Sequence, residues 1–228
     1  MQKIELGLIS EKNSKIAFFG HRHSTIENLT THFPHMTFIR LNQVHGNRVV
    51  ETITTDPTEV RQAADAHITS TSNLALCIST ADCVPILITS ASTPWIAAIH
   101  AGWRGISTNI LKATLTALRE RGVPLQSLEL FIGPHVQQQS YEVDENVKNL
   151  VVGSTSRKKP KHFQDLGSGK YLLSLGEVLR SQCLDLSLLE SQVNFVNENT
   201  RDNLMYYSVR RDKETLGRQI SFVCSVKK

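Results

Sequence analysis

Two short apolar runs near the middle of the chain constrain its fold more than any other feature. They are Val84–Thr89 and Trp95–Ile99, both rich in Val and Ile and bounded by turn-forming residues, which predicts two β-strands. The link between them, Ser90–Pro94, is short and polar and therefore favours an antiparallel hairpin. Pairing about the middle of that link predicts that Cys83 lies directly opposite His100.

The Cys83–His100 pair has three interpretations at this stage. Cross-strand neighbours have Cβ atoms about 4.5–5.5 Å apart, which suits one metal ion bound by sulfur and an imidazole nitrogen. A thiolate and an imidazole are also the nucleophile and base of cysteine hydrolases. A small buried Cys beside a structural His is the third interpretation. Both residues stand at strand ends that open into polar loops, where functional sites tend to lie.

Composition limits the class of protein. At 228 residues and 25.5 kDa the chain can bury a full core, and we predict one domain over residues 1–228. The formal charge of +4 is mild, and we interpret the basic run Arg157–Lys161 as a solvated loop, so no nucleic-acid partner is expected. No apolar run reaches membrane-spanning length and no signal peptide is visible, which predicts no membrane association. Four scattered cysteines favour reduced thiols, and hence a cytoplasmic location.

The remaining periodic segments predict an α+β fold. Short strands outnumber helices and do not alternate regularly with them, which favours mixed or antiparallel sheets with flanking helices. The predicted strands are Ile16–Phe19, Met36–Leu41, Arg48–Ile53, Leu74–Ser79, Leu128–Ile132 and Gln192–Val196, with a C-terminal hairpin of Met205–Val209 and Gln219–Val226. The predicted helices are Ser24–His32, Ser107–Arg121 and Tyr171–Leu186.

The loop after His100 carries an arginine. Arg104 precedes the predicted helix Ser107–Arg121, whose first N–H groups and dipole favour an anion. A guanidinium adds a planar fork of donors that matches phosphate or carboxylate. The sequence therefore predicts an anion site next to the Cys83–His100 pair.

Six motifs stand in order from about residue 36 to 220, and the pair formed by TADC and HAGWRG is highly specific. The motifs are Asn42–Gly46, Ala64–Ala66, Thr80–Cys83, His100–Gly105, Ile132–Pro134 with Tyr141–Val143, and Ser208–Arg218. Together they resemble the laccase-domain family, also called the YfiH-like or multicopper polyphenol oxidase family.

The resemblance implies a single-domain α+β enzyme with one zinc ion bound by His45, Cys83 and His100. It also implies phosphorolysis of adenosine, inosine, guanosine and methylthioadenosine, together with deamination of adenosine. Purine nucleosides and phosphate are then the partners, and we predict a monomer or small homo-oligomer. A His2Cys set with an open position fits a catalytic zinc, whereas copper normally adds a weak axial Met, so Cu²⁺ is the weaker alternative.

Phosphorolysis requires an anion to be positioned and a leaving purine to be protonated. With the resemblance, this need predicts two sets of residues besides the metal ligands. The predicted catalytic residues are Asp82, Cys83 and Arg104. The predicted substrate-binding residues are Gln43, Arg48, Arg210 and Arg211.

The chain departs from the family pattern at two places. His135 follows Ile132-Gly133-Pro134 where the family often has Cys, and His21–Ser24 stands in place of an N-terminal Thr-Arg-x-Gly-Gly pattern. Three alternatives remain open: a Cys83/His100 hydrolase acting on peptidoglycan precursors, a copper-dependent polyphenol oxidase, and a nucleoside-binding regulator without turnover.

Overall fold

The computed structural model describes residues 1–56, 61–213 and 217–227. Its strands are β1 Gln2–Ile4, β2 Gly7–Lys12, β3 Lys15–Gly20, β4 Thr37–Arg40, β5 Val49–Glu51, β6 Ala66–Thr69, β7 Leu74–Thr80, β8 Val84–Ser90, β9 Ile96–Ala101, β10 Leu128–Ile132, β11 Glu142–Asp144, β12 Phe163–Gly167, β13 Lys170–Leu173, β14 Val193–Phe195 and β15 Gln219–Ser225. Its α-helices are α1 Ile26–His32, α2 Trp103–Ser107, α3 Ile110–Glu120, α4 Glu145–Gly153, α5 Leu175–Asp185 and α6 Val209–Asp212.

The strands form two six-stranded mixed sheets and one small sheet. The first has the order β1-β2-β3-β15-β7-β4, and the second has the order β14-β10-β8-β9-β6-β5. The third consists of β11, β13 and β12. This architecture confirms the predicted α+β class with mixed and antiparallel sheets. Within the described ranges, no helix has both the length and the apolar character needed to span a membrane.

The two large sheets pack face to face because their central strands are apolar on both sides. Successive side chains of a strand point to opposite faces. On β7, Leu76 and Ile78 join a cluster with Leu87 and Ala98 of the second sheet, whereas Ala75 packs toward α1. The outer face of the second sheet is covered mainly by α2, α3, α4 and α5. The molecule therefore has helices outside two stacked sheets.

The turn between β7 and β8 carries the chain from one large sheet to the other. It consists of Ala81, Asp82 and Cys83, and Asp82 adopts a positive φ of 81°. Positive φ is uncommon for residues other than Gly and often marks functional sites. The crossing places Cys83 at the edge of the layer between the sheets.

The predicted hairpin exists, but its register differs by two residues from the predicted one. β8 pairs antiparallel with β9, and His100 lies opposite Pro85 instead of Cys83. The connection is centred one residue later than predicted because Thr89 pairs with Ile96. A shift of two residues preserves the face to which each side chain points. Cys83 and His100 are therefore diagonal neighbours on one face.

Two predicted helices have different boundaries. The segment Ser107–Arg121 is divided between α2 and α3, because Asn109 has a left-handed φ of 61° that interrupts the helical path. Arg104 consequently lies within α2, not in a loop before a helix. The predicted helix Tyr171–Leu186 begins only at Leu175, because residues 170–173 pair with β11 and β12.

The predicted C-terminal hairpin is wrong. Residues 205–208 are not in a strand, and Val209 begins the short helix α6. β15 instead inserts between β3 and β7, where strand pairing on both sides satisfies its backbone. Part of the predicted connection and of the motif Ser208–Arg218, residues 214–216, lies outside the described residues.

Candidate active site

His45, Cys83 and His100 converge at the edge of the layer between the sheets. Their ligand atoms all lie within 4.8 Å of one another. The two imidazole rings have centroids 4.7 Å apart and planes at 86° to each other. His100 is buried on β9, Cys83 is half-buried, and His45 is exposed on the loop between β4 and β5. The structure thus brings together the three residues predicted as metal ligands.

Asp65, just before β6, fixes two of these residues. Its buried carboxylate accepts a hydrogen bond from His100 Nδ1 at 2.8 Å. The same carboxylate accepts backbone N–H groups of the loop at His45 (2.9 Å) and Gly46 (2.7 Å). A carboxylate that binds one imidazole nitrogen directs the other toward a metal or a thiol. Asp65 therefore orients His100 and holds the loop that presents His45, whose φ is +61°.

Gly102 allows the three side chains to approach. A Cβ atom at this position would lie 3.1 Å from Cys83 Sγ and 3.2 Å from His45 Cδ2. Both distances are tighter than ordinary carbon contacts of about 3.5–4.0 Å. A larger residue in the HAGWRG motif would push the ligand atoms apart.

The charges of Cys83 and His100 are coupled. Burial alone would raise the pKa of Cys83, but hydrogen bonds from His100 and His45 outweigh it and lower this pKa to about 6. Burial would lower the pKa of His100, but the hydrogen bond to Asp65 and the thiolate raise it to about 9. The site therefore stabilises a thiolate, which is the form required both of a metal ligand and of a nucleophile.

The three residues form part of the lining of a cavity of about 580 Å³. This volume lies within the usual range of small-molecule sites, about 300–1,000 Å³. Four arginines contribute to the lining, and Asp82 is its one carboxylate among the described residues. The described lining residues are Arg40, Leu41, Gln43, His45, Arg61, Ser79, Ala81, Asp82, Cys83, His100, Tyr141, Val209, Arg210 and Arg218.

The carboxylate of Asp82 is engaged by the protein. One oxygen accepts a hydrogen bond from Thr200 Oγ1 at 2.7 Å, and the other accepts the backbone N–H of Arg210 at 2.7 Å. Asp82 thus ties the turn that carries Cys83 to the first turn of α6. These contacts are those of a positioning residue, and its predicted role as a proton donor stays a prediction.

The two arginines of α6 face different surroundings. Arg210 lines the cavity, its guanidinium lies 4.6 Å from the Tyr141 ring centroid, and it donates to the Glu142 carbonyl at 2.9 Å. Arg211 is turned away, donating to the Tyr206 carbonyl at 2.7 Å and pairing with Asp212. Arg210 therefore faces the cavity, whereas Arg211 holds the loop before α6, and their predicted roles in substrate binding stay predictions.

The other predicted residues are spread around the site. Gln43 lines the cavity, and its amide makes two hydrogen bonds of 2.8 Å to the Ser79 backbone. Arg48 is exposed and donates to the Ala63 carbonyl at 3.2 Å. Arg104 is exposed and lies 4.4 Å above the Trp103 ring. Neither Arg48 nor Arg104 is among the described cavity-lining residues, so their predicted roles stay predictions.

Sequence reasoning assigned no role to Asp65, Arg40, Arg61 or Tyr141, which belong to or support the site. An isolated carboxylate in Ala64-Asp65-Ala66, at the start of a buried strand, was the available signal for Asp65. Tyr141 stood in a recognised motif, and burial raises its pKa to about 12, which keeps its hydroxyl protonated. Arg40 and Arg61 lie in no motif, and only the fold brings them to the cavity.

The arrangement suits two chemistries. Cys83, His100 and Asp65 form a thiol–imidazole–carboxylate series like that of cysteine hydrolases, in which the third group orients the base. The third donor, His45, has no counterpart in such a series. Two His and one Cys around an open cavity match the donor set of a catalytic zinc site.

Comparison with known proteins points to one family. Residues 15–226 match the family model described as multi-copper polyphenol oxidoreductase laccase. A relative from Rickettsia conorii, named purine nucleoside phosphorylase, is 32% identical over 191 residues, which cover 81% of this chain and 75% of the relative. A Pseudomonas aeruginosa relative, also named purine nucleoside phosphorylase, is 32% identical over 187 residues, which cover 80% of this chain and 72% of the relative.

Solved structures share the fold. The YfiH protein of Bacillus licheniformis superposes with a TM-score of 0.88 at 21% identity, covering 95% of this chain and 94% of that one. YlmD from Geobacillus stearothermophilus gives a TM-score of 0.87 at 21% identity, and the match covers 94% of this chain and 93% of YlmD. The chain therefore belongs to the multi-copper polyphenol oxidoreductase laccase family, the YfiH-like proteins that its motifs resemble.

Proposed function

We propose that this protein is a zinc-dependent purine nucleoside phosphorylase. The observation that carries the proposal is the His45–Cys83–His100 donor set at one side of an arginine-lined cavity. The names of the curated relatives support the same activity. The cavity offers polar groups for a nucleoside and cationic groups for phosphate, as phosphorolysis requires.

The donor set fits zinc better than copper. Zinc takes Cys sulfur at about 2.3 Å and His nitrogen at about 2.0–2.1 Å in a tetrahedron, so donors within 4.8 Å need only a small inward movement. A blue-copper site would add an axial Met. Met1 and Met205 are exposed, and Met36 packs near α1. A bound zinc would supply Lewis acidity toward a substrate oxygen or nitrogen.

The metal proposal is tested by substitution of one ligand. We expect purified protein to hold about one zinc ion per chain, and Cys83→Ala to reduce this content to a small fraction, since two ligands remain. Cys183→Ala is the matched control, because Cys183 is buried in α5 away from the cavity. Full zinc retention in Cys83→Ala would contradict the assignment.

In phosphorolysis a phosphate oxygen forms a bond to C1′ of the ribose while the C1′–N bond to the purine breaks. The purine leaves with the electron pair of that bond and takes up a proton. Arg210, held by Asp82 and stacked on Tyr141, is positioned to bind an anion in the cavity. The protonated Tyr141 hydroxyl can donate a hydrogen bond to the substrate. These contacts would orient the two reactants.

Product analysis tests the reaction. Inosine incubated with enzyme and phosphate should yield hypoxanthine and ribose 1-phosphate, and omission of phosphate should abolish both. We also propose that the same site deaminates adenosine, in which case inosine and ammonia should form without phosphate. Release of free ribose independent of phosphate would instead indicate hydrolysis.

A Cys83-dependent hydrolase is the second candidate, because Asp65 orients His100 as in a catalytic triad. In this mechanism Cys83 would form a covalent bond to substrate. Iodoacetamide and mass spectrometry separate the two candidates. A metal ligand should be protected from alkylation until the zinc is removed, whereas a nucleophile should be trapped as a substrate adduct.

A further inference from the structure

We propose that Arg40 and Arg61 form a phosphoryl-binding subsite in the cavity, on the side of β7 opposite to Arg210. The proposal rests on the proposed function only in assuming that this cavity binds substrate. It adds a second cationic site whose residues lie outside every motif that the sequence shares with the family.

The strand order of the first sheet places Arg40 and Arg210 on opposite sides of β7. β7 lies between β15 and β4 in the first sheet. Arg40, the last residue of β4, is paired with Cys77 of β7. On the other side of β7, the start of β15 is paired with Thr80. Arg40 therefore enters the cavity from the β4 side, while α6, which precedes β15, supplies Arg210 from the other.

Arg40 and Arg61 form no ion pair with an acidic side chain of residues 1–56, 61–213 or 217–227. Asp82, the one carboxylate among the described lining residues, uses both oxygens elsewhere. Partial burial lowers the pKa of Arg40, and the neighbouring positive charge of Arg61 lowers it further. Half-buried Arg40 and exposed Arg61 thus both line the cavity without an acidic partner among the described residues.

A phosphoryl group is the ligand that this pair fits best. It carries close to two negative charges near neutral pH and offers three acceptor oxygens. Guanidinium forks bind such groups in bidentate fashion, and the partial burial of Arg40 strengthens the attraction. Binding would also relieve the repulsion between the two arginines.

The phosphoryl group has two possible sources, inorganic phosphate or a phosphate carried by the nucleoside itself. The experiment compares Arg40→Gln and Arg61→Gln with wild type and with Arg119→Gln, an exposed arginine of α3 away from the cavity lining. Calorimetry on the zinc-loaded protein measures affinity for inorganic phosphate, adenosine and adenosine 5′-monophosphate. Circular dichroism and melting temperature verify folding, and Arg40→Lys serves if the glutamine variants do not fold, because it retains the charge and loses the fork.

Loss of one charge-assisted contact corresponds to about a 10- to 100-fold weaker affinity. If inorganic phosphate is the source, both cavity variants should lose phosphate affinity by this factor. If the nucleotide is the source, wild type should bind the monophosphate more tightly than adenosine, and the variants should lose that preference. Adenosine affinity should stay within about twofold of wild type in either case.

Unchanged affinity for both phosphate and the monophosphate in Arg40→Gln and Arg61→Gln would overturn the proposal, as would an equal loss in Arg119→Gln. Because these measurements detect binding alone, they are independent of turnover. Absence of inosine phosphorolysis with phosphoryl binding intact would therefore reject the proposed function and leave the subsite standing.

Discussion

The two sides of the cavity are built in different ways. We call His45, Cys83 and His100 the ligand wall, and Arg40, Arg61 and Arg210 the arginine wall. The ligand wall is held by backbone geometry and by the buried carboxylate of Asp65. This carboxylate accepts hydrogen bonds from the His100 ring and from the backbone N–H of His45. The arginine wall consists of three long side chains, none of which has an ion-pair partner among the described residues.

This difference indicates different tasks. A metal site needs ligand atoms fixed before the ion arrives, because misplaced donors cost affinity. An anion site that receives and releases substrate benefits from side chains whose charge is balanced only while the ligand is bound. We therefore expect substitutions behind the ligand wall to change metal affinity, and substitutions in the arginine wall to change substrate use.

The largest effect should come from Asp65→Asn. The amide lacks the negative charge that orients His100, and its NH2 group replaces one of the two oxygens that accept hydrogen bonds from His100 and the His45 loop. Outer-shell changes of this kind typically cost about 10- to 100-fold in metal affinity. Competition with a chromophoric chelator measures the zinc affinity. Asp165→Asn, on the exposed hairpin of β12 and β13, is the control.

A Co²⁺-substituted protein sharpens this test. Its thiolate-to-metal absorption reports whether Cys83 still binds the ion when Asp65 is altered. A change in this absorption in folded protein would show a change at the metal site, because a general loss of stability leaves the absorption of the folded fraction unchanged. Zinc affinity equal to wild type in Asp65→Asn would show that the ligand wall does not depend on this carboxylate.

An effect of similar size should separate the neighbours Arg210 and Arg211. Arg210→Gln should lower kcat/KM for inosine phosphorolysis about 10- to 100-fold, the value of one charge-assisted contact, with little change in melting temperature. Arg211→Gln should have the converse effect, because its guanidinium binds the backbone carbonyls of Thr200, Arg201 and Tyr206. We expect it to cost about 1–3 kcal/mol of stability and to leave KM near wild type.

Steady-state kinetics and thermal unfolding of the two variants provide the comparison. If both variants lose activity in proportion to their loss of stability, Arg210 does not bind substrate and contributes only to folding. If Arg211→Gln alone loses activity, the assignment of the two residues is reversed.

Much of the ligand wall could be predicted from the sequence, because it depends on short-range patterns. Short apolar runs bounded by turn-forming residues identified β8 and β9, and the side-chain period of two kept Cys83 and His100 on one face although the predicted register was wrong by two residues. His45 entered through the family resemblance, and the structure places it beside the other two.

Of the arginine wall, Arg210 was predicted with the help of the family resemblance, but Arg40, Arg61 and the position of the wall could not be predicted from local patterns. Arg40 reaches the cavity only because β4 pairs parallel to β7, and Arg210 only because the predicted C-terminal hairpin does not form. Both facts depend on contacts between residues far apart in the chain, which local propensity does not encode. The left-handed conformation of Asn109, which divides the predicted helix, was likewise not visible in an otherwise helical pattern.

A further effect, confined to acidic pH, concerns His67, a histidine of the same layer that has no carboxylate partner among the described residues. His67 on β6 lies opposite Ala98, faces the space between the sheets and is fully buried. Burial lowers its pKa to about 3, whereas Asp65 and the thiolate raise that of His100 to about 9. His67 therefore remains neutral in the folded protein while the unfolded chain binds a proton below about pH 6.5.

Because the folded pKa is the lower one, His67 should destabilise the protein as the pH falls from about 6.5 toward 3. At pH 5 the loss is about 2 kcal/mol, from about 1.4 kcal/mol for each pH unit. His67→Gln should remove this slope. Urea unfolding between pH 7 and 5 measures it, in a Cys83→Ala background so that metal release makes no contribution. Equal slopes with and without His67 would show that burial between the sheets does not suppress its charge, and that Asp65 is not what distinguishes His100.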